Sequence, residues 1–298
     1  MTVDPPLRPH AVSTTRFDQH DVVVDGLRIR YVDVGPTADQ LAEVDQTVET
    51  IVVLPGHTAR IEGFDELVTV LAARRRVVVP DFPGSGYSDK PDRSYTLAFY
   101  EDVLVAFLDA LGIGTAIPLG GSLGGNLVLR LGHRFPERFP RLVLWAPGGA
   151  WTSKGWLAAL VRRTCGRRLF WPTVRIQSRY WYDDAFAGKQ AALDETFAYY
   201  REVMCPGFVR MYWGIAADQL GNSLFDIAPK IDQPTLLCWG DHDNGAGMGA
   251  GVARLHELLP DNTFHVFEGA RHSLETEIPA ELGRVVNDFL DGSTHPDA

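Results

Sequence analysis

Short apolar runs alternate with helix-like patterns along most of this chain. Runs such as Ile51–Leu54 and Leu142–Trp145 are typical of strands buried on both faces of a parallel sheet. Between such runs, apolar residues recur every three or four positions, as in the helix predicted from Leu97 to Leu111 with Thr96 as its N-cap. A hairpin is predicted over His20–Val34. The alternation of strand and helix predicts a mostly parallel, doubly wound α/β sheet.

The pattern changes between residues 150 and 223, where no buried strand is predicted. The stretch Trp151–Asp226 holds 15 of the 31 aromatic residues. It also carries 10 Lys and Arg against 7 Asp and Glu, although the whole chain is acidic. We therefore predict an inserted helical cap with an apolar and locally positive inner face. The core of the protein is expected to comprise residues 1–149 and 224–298, with residues 150–223 as the cap.

Composition argues against several classes of function. The formal net charge of −10 over 298 residues disfavours nucleic acid and anionic membranes as partners. No run approaches the length of a membrane span, and the leader Met1–Gln19 lacks the apolar stretch of a secretory signal, so we predict a cytoplasmic protein. Cys165, Cys205 and Cys238 lack metal-ligand spacing and are interpreted as reduced thiols. We expect neither a metal nor an organic cofactor.

One motif stands between an apolar run and a helical pattern. Residues 120–124 read Gly-Gly-Ser-Leu-Gly, which places Ser122 at a strand-to-helix turn. A serine in such a turn has a cramped backbone, so its neighbours two residues away must be small. The following helix also directs its first N–H groups toward any negative oxygen that develops nearby. A simple glycine-rich connection explains the bare motif equally well, so the rest of the chain must decide.

Polar residues also follow two late strands of the predicted sheet. Asp241 and Asp243 come after the first, and His272 comes after the second. In open α/β sheets, catalytic groups lie just past the carboxyl ends of the strands. With Ser122, these residues follow the chain order serine, aspartate, histidine of a nucleophilic triad on such a sheet. The sequence Asp-His-Asp at 241–243 also suggests a metal site, but no second ligand group stands at partner spacing.

From about Val22 to Leu290 the chain resembles the α/β-hydrolase superfamily, with a helical cap inserted after the strand that ends at Trp145. This resemblance implies an α/β-hydrolase fold. It also implies that Ser122 is the nucleophile and His272 the general base. The family places the acid three residues after the glycine of its late strand, which selects Asp243 over Asp241.

The resemblance also implies an oxyanion hole. Its two donors would be the backbone N–H groups of Leu123, just after the nucleophile, and of His57 in the loop after the first parallel strand. This chain has Pro55 where the family usually carries a histidine, which leaves the backbone donor in place. It makes the side chain of His57 unusual. Contact with the substrate is one alternative, but we expect that side chain to face water.

A serine nucleophile favours one branch of the superfamily. Relatives with aspartate at this position form alkyl esters of a carboxylate, whereas Ser122 would form an acyl-enzyme. We therefore expect hydrolysis of a small carboxylic ester. The residues that bind the substrate are not identified by sequence, but cap aromatics and arginines would suit an aromatic group beside a carboxylate. An alternative is that the aromatics pack the cap's own core while the arginines are solvated. These residues are Trp151, Trp156, Trp171, Trp181, Trp213, Arg162, Arg163, Arg167, Arg168, Arg175, Arg179, Arg201 and Arg210.

Among named groups, the run Leu54–Asp65 and the motif around Ser122 resemble monoalkyl phthalate ester hydrolases most closely. The same regions resemble meta-cleavage-product hydrolases, which break a carbon–carbon bond. Those enzymes typically carry Asn where Gly121 stands and Trp where Ser273 stands. Proline iminopeptidases share Gly-Gly-Ser but usually have Trp in place of Leu123. A non-catalytic binding protein is disfavoured because all three triad residues are present, and the sequence leaves open whether the chain forms a homodimer.

Overall fold

The computed structural model of the protein describes residues 15–36, 49–244 and 248–292. Residues 1–14 of the leader lie outside this part of the chain. The described residues contain one eight-stranded sheet in the order β1-β2-β4-β3-β5-β6-β7-β8. The strands are β1 (Gln19–Val24), β2 (Leu27–Val34), β3 (Thr50–Leu54), β4 (Arg76–Pro80), β5 (Ile117–Gly121), β6 (Leu142–Trp145), β7 (Thr235–Gly240) and β8 (Asn262–Phe267).

The sheet is parallel from β4 to β8 and antiparallel at one edge. The strands β1 and β2 form the predicted hairpin, and β2 pairs antiparallel with β4. Asp25 and Gly26 at its turn have φ angles of 49° and 77°, as a two-residue hairpin turn requires. Pairing then continues in parallel through β4, β3, β5, β6, β7 and β8.

Helices follow most of the strands. The α-helices of the described residues are α1 (Asp65–Ala72), α2 (Leu97–Ala110), α3 (Leu123–Arg134), α4 (Gly155–Thr164), α5 (Arg167–Gln177), α6 (Lys189–Val203), α7 (Pro206–Gly221), α8 (Met248–Leu258), α9 (Leu274–Glu277) and α10 (Pro279–Leu290). Thr96 caps α2 as predicted, since its hydroxyl accepts a hydrogen bond from the N–H of Phe99 at 3.1 Å.

Two groups of helices pack around the sheet. One group contains α1, α9 and α10, and another contains α2 and α3. Helices α4–α7 all lie between β6 and β7 in the chain, in the segment predicted to be the cap. The predicted α/β-hydrolase fold is therefore confirmed. None of the described helices combines the length and apolar character needed to cross a lipid bilayer.

The core explains why the strands could be recognised from their sequence. Every residue of β5, β6 and β7 is buried, because helices and loops cover both faces of these central strands. Their sequences are accordingly continuous apolar runs. Since the central strands are parallel, the loops after β5, β7 and β8 all open at the same edge of the sheet. This edge carries the candidate site.

Candidate active site

Ser122 occupies a sharp turn between β5 and α3. Its φ of 53° and ψ of −113° lie in a region that residues with a side chain rarely adopt, at a cost of the order of 1–3 kcal/mol. Hydrogen bonds hold this conformation. The N–H of Ser122 donates to the carbonyl of Trp145 at 3.1 Å, and the carbonyl of Ser122 accepts from the N–H groups of Asn126 (3.0 Å) and Gly148 (2.9 Å).

Two glycines of the motif are required by close contacts. A Cβ at Gly124 would overlap the carbonyl oxygen of Leu54 at the end of β3. A Cβ at Gly121 would overlap the indole nitrogen of Trp145 on the neighbouring strand. The motif is therefore a packed strand-to-helix turn rather than an open glycine-rich loop.

Asp243 and His272 meet at the edge of the sheet. Asp243 Oδ2 lies 2.7 Å from His272 Nδ1, and the two side chains are only 2% and 18% exposed. Because a carboxylate only accepts hydrogen bonds, Nδ1 is the protonated nitrogen and Nε2 keeps its lone pair. The pair thus has the tautomer that a general base needs.

Asp241 has a different environment. Its side chain is exposed, and its Oδ1 accepts a hydrogen bond from the N–H of Gly269 at 2.7 Å. A turn closed by the N–H of Asp243 and the carbonyl of Gly240 (2.9 Å) carries Asp243 into the interior. The structure therefore brings Asp243, the acid favoured from sequence, into contact with His272.

Several groups act on the pKa of His272. Burial lowers this pKa, whereas the hydrogen bond and the charge of Asp243 raise it. The nearby carboxylates of Glu275 and Glu277 raise it further. The net result is a pKa above the ordinary value of 6.5.

The predicted oxyanion donors lie on both sides of the serine. Leu123 is the first residue of α3, where backbone N–H groups have no acceptor within the helix. On the other side, the loop after β3 passes close to the turn, because a Cβ at Gly56 would be 3.8 Å from the Cβ of Ser122. His57 is the next residue in that loop. The donor roles of Leu123 and His57 remain predictions.

Comparison with known proteins places this architecture in a family. A model of the alpha/beta hydrolase fold matches residues 49–275. The chain belongs to the α/β-hydrolase family. It is 46% identical over 244 residues to a 2-hydroxymuconate semialdehyde hydrolase of Pseudomonas sp. strain CF600, covering 74% of this chain and 78% of that protein. A protein with the same name from Pseudomonas putida is 29% identical over 228 residues, covering 72% and 77%.

Solved structures agree on the fold. The crystal structure of an enol-lactonase from Burkholderia xenovorans matches with a TM-score of 0.74 at 22% identity, covering 91% of this chain and all of that one. At this level of identity the likeness concerns the fold alone. Among the described residues of this hydrolase, no group of three or more His, Cys, Asp or Glu side chains is arranged to hold a metal ion.

The side chain of His57 is only partly exposed and packs against the cap, whereas the sequence-based expectation placed it in water. Its ring stacks on that of Tyr212 in α7, with centroids 4.8 Å apart, and its Nε2 is buried without a partner. Burial lowers the pKa of His57 to about 4, although a hydrogen bond with the backbone of Tyr212 acts in the opposite direction. This histidine is therefore neutral near pH 7 and packs beneath the cap of the hydrolase.

Aromatic side chains fill the interior of the cap. Five buried rings, contributed by α5, α6 and α7, contact one another edge to face or at tilted angles. Of the tryptophans considered from sequence, Trp213 is buried, whereas Trp156 is 74% exposed. None of these five rings is a tryptophan considered from sequence, and Trp151, Trp171 and Trp181 are only partly buried. The five rings are Phe170, Tyr199, Tyr200, Phe208 and Tyr212.

The cap arginines do not form the expected positive inner face, because all eight are exposed to solvent. Charge counted over a helix cannot show which side the charge faces. A buried cation next to the cap is Arg60, which pairs with Glu195 of α6 and lies 3.2 Å from Glu62. Its charge is therefore already neutralised. The exposed residues are Arg162, Arg163, Arg167, Arg168, Arg175, Arg179, Arg201 and Arg210.

Two residues near the site were missed from sequence. The carbonyl of Trp145 accepts a hydrogen bond from the N–H of Ser122, and its indole Nε1 donates one to Glu275 Oε2 at 2.9 Å. Glu275 stands three residues after His272, so Trp145 connects the serine turn to the histidine segment. The only sequence signal was an acidic residue close behind His272, and acidic residues are also common on exposed helix ends.

Proposed function

We propose that this hydrolase cleaves a carboxylic ester through an acyl-enzyme formed on Ser122. The observation that carries the proposal is the partly buried 2.7 Å contact between His272 and Asp243, at the edge of the sheet where the strained serine turn also lies. A constrained serine and an oriented imidazole are the two parts that nucleophilic catalysis requires.

The proposed reaction has two halves. Ser122 Oγ attacks the ester carbonyl carbon while His272 Nε2 takes the hydroxyl proton, and the N–H groups of Leu123 and His57 stabilise the resulting oxyanion. His272 returns the proton to the leaving alcohol, which departs and leaves the acyl group on Ser122. Water then attacks the acyl-enzyme, again with His272 as base, and the carboxylic acid is released.

A carbon–carbon hydrolase is the second candidate, and the names of the two Pseudomonas relatives support it. Two positions favour the ester instead. Enzymes of the meta-cleavage type typically have Asn at the position of Gly121, where the indole of Trp145 leaves no room for a side chain. They also typically have Trp just after the catalytic histidine, where this chain has Ser273.

A monoalkyl phthalate is the narrower substrate hypothesis. Such a monoester carries a free carboxylate, which a buried and unpaired cation would recognise best. The cap arginines are exposed, and the buried Arg60 is paired with two glutamates. Recognition of the carboxylate would therefore depend on neutral donors or on exposed arginines. The proposal that an ester bond is cleaved is thus better supported than the proposal that the acid part of the substrate is phthalate.

A comparative assay on the purified protein tests these proposals. It measures kcat/KM for a monoalkyl phthalate, the corresponding dialkyl ester, a short-chain aryl ester, 2-hydroxymuconate semialdehyde and a proline anilide, with the Ser122→Ala variant as a blank. Turnover of esters with little turnover of the semialdehyde supports the ester proposal. Preference for the semialdehyde would replace the ester proposal with carbon–carbon bond hydrolysis. Preference for the anilide would replace it with peptidase activity. Preference for the monoester over the dialkyl ester would establish carboxylate recognition.

A further inference from the structure

Glu275 lies between the histidine segment and the serine turn. It belongs to α9, which begins two residues after His272. Its Oε2 accepts a hydrogen bond from Trp145 Nε1 at 2.9 Å, and Trp145 is only 1% exposed at the end of β6. The same indole packs against Gly121. The carboxylate is therefore held at a defined place in the site rather than free on the surface.

The groups that face Glu275 come from three elements. Trp145 on β6 supplies the indole donor, and Tyr182 of the cap lies within electrostatic range. His272 and Glu277, on its own segment, also lie within electrostatic range of it. Burial raises the pKa of Glu275 to about 7, against the lowering effects of its own backbone N–H, His272 and Trp145, while Glu277 raises it.

Glu277 differs from Glu275, although its charge also raises the pKa of His272. Its Oε2 accepts a hydrogen bond from the N–H of Asp183 at 2.9 Å, and its Oε1 accepts one from the N–H of Arg271 at 3.2 Å. Through these bonds Glu277 links the cap to the segment that carries His272. Glu275 has a side-chain donor from the strand beside the nucleophile, so it is the carboxylate fixed relative to Ser122.

We propose that Glu275, held by Trp145, is a second carboxylate that acts on His272 and stabilises the imidazolium formed when His272 takes the proton of Ser122. The inference rests on the proposed serine mechanism. In that step the proton moves from Ser122 Oγ to His272 Nε2, and Asp243 remains bonded to Nδ1. Glu275 accepts no proton from the substrate. It is a positioning residue whose charge acts through His272.

A consequence is that the two groups titrate together. When two ionisable groups interact strongly, the apparent pKa values belong to the pair rather than to either residue. A positive His272 favours ionised Glu275, and ionised Glu275 favours positive His272. Removing the glutamate charge must therefore lower the pKa of His272 and also weaken the stabilisation of the imidazolium during catalysis.

The variant Glu275→Gln tests the proposal, because glutamine keeps an acceptor for the Trp145 indole and loses the charge. With a short-chain aryl ester, the acid limb of kcat/KM against pH is expected to move to lower pH. The plateau is expected to fall by roughly tenfold or less, since general-base catalysis as a whole contributes on the order of 100- to 10,000-fold. The matched control is Glu281→Gln, an exposed glutamate of α10, which should leave both features unchanged.

Trp145→Phe provides a second route to the same result. This change removes the donor to Glu275 and keeps an aromatic ring, so it should move the acid limb in the same direction. Because both variants disturb one interaction, the double variant should resemble Glu275→Gln rather than add the two effects. Circular dichroism and thermal unfolding confirm that each variant is folded before its profile is interpreted.

A readout independent of turnover is the titration of His272 by NMR on protein labelled at histidine nitrogens, with the resonance assigned by its loss in His272→Gln. Its midpoint should be lower in Glu275→Gln than in the wild type. Coincident midpoints and coincident acid limbs would overturn the role of Glu275. Failure of the wild type to hydrolyse esters or to react with a serine-directed phosphonate would overturn the proposed function instead, so the two failures are distinguishable.

Discussion

The pairing of Asp243 with His272 leads to the sharpest prediction. In Asp243→Asn, the carboxylate that fixes the imidazole tautomer is replaced by an amide of nearly equal size. The 2.7 Å contact is partly buried, with the side chain of Asp243 only 2% exposed. An amide N–H facing Nδ1 would move the imidazole proton to Nε2, where the base needs its lone pair.

The magnitude follows from two effects. A hydrogen bond to a charged group contributes about 1.5–3 kcal/mol, and since about 1.4 kcal/mol of barrier is tenfold in rate, loss of this bond alone slows acylation roughly 10- to 150-fold. Reversal of the tautomer adds to this loss. We expect kcat/KM to fall by about 1,000- to 10,000-fold in total.

The assay is steady-state ester hydrolysis on the alkaline plateau, with Asp241→Asn as the matched control. Asp241 also follows β7, but it is exposed and bonds the backbone of Gly269, so its replacement should change kcat/KM little. The assignment of the acid is wrong if Asp243→Asn retains activity within about tenfold of the wild type. A larger loss in Asp241→Asn would transfer the role to that residue.

Three further predictions concern the same site. Ser122→Ala should fold normally and lose on the order of a thousandfold or more in rate, and it should also lose labelling by a serine-directed phosphonate; retained labelling would point to another nucleophile. Activity requires neutral His272, whose pKa is raised above 6.5, so kcat/KM should fall as pH decreases through a midpoint above 6.5; a midpoint at or below that value in a pH–rate profile contradicts the environment described. Gly121→Asn would overlap the indole of Trp145, so its free energy of unfolding should decrease by about 1–3 kcal/mol in a denaturant titration, and unchanged stability would mean that the indole can move aside.

The fold could be predicted because its central strands are buried on both faces. Such strands must be apolar throughout, so β3, β5, β6 and β7 are visible as uninterrupted runs in the sequence. Helix α9 was not predicted, since its four residues are too few to show a period. Its location matters because it carries Glu275.

The choice between the two aspartates illustrates a limit of sequence reasoning. Both residues follow β7 within three positions, and their local sequence does not show which one points inward. The distinction came from a resemblance to a family, and in the structure a turn closed between Asp243 and Gly240 accounts for it. That turn is a property of backbone geometry, which composition and spacing do not determine.

The cap shows the same limit on a larger scale. Its aromatic and basic composition is plain in the sequence, but the direction in which each side chain points depends on what the cap covers. Tyr212 stacks on His57, although the two residues are about 150 positions apart in the chain. The local sequence around His57 therefore does not predict that contact. Burial stabilises an apolar side chain wherever its helix packs, whereas burial of an arginine requires an anionic or hydrogen-bonding partner at that place. Without knowledge of that partner, solvent exposure was the better expectation for the arginines and burial for the rings.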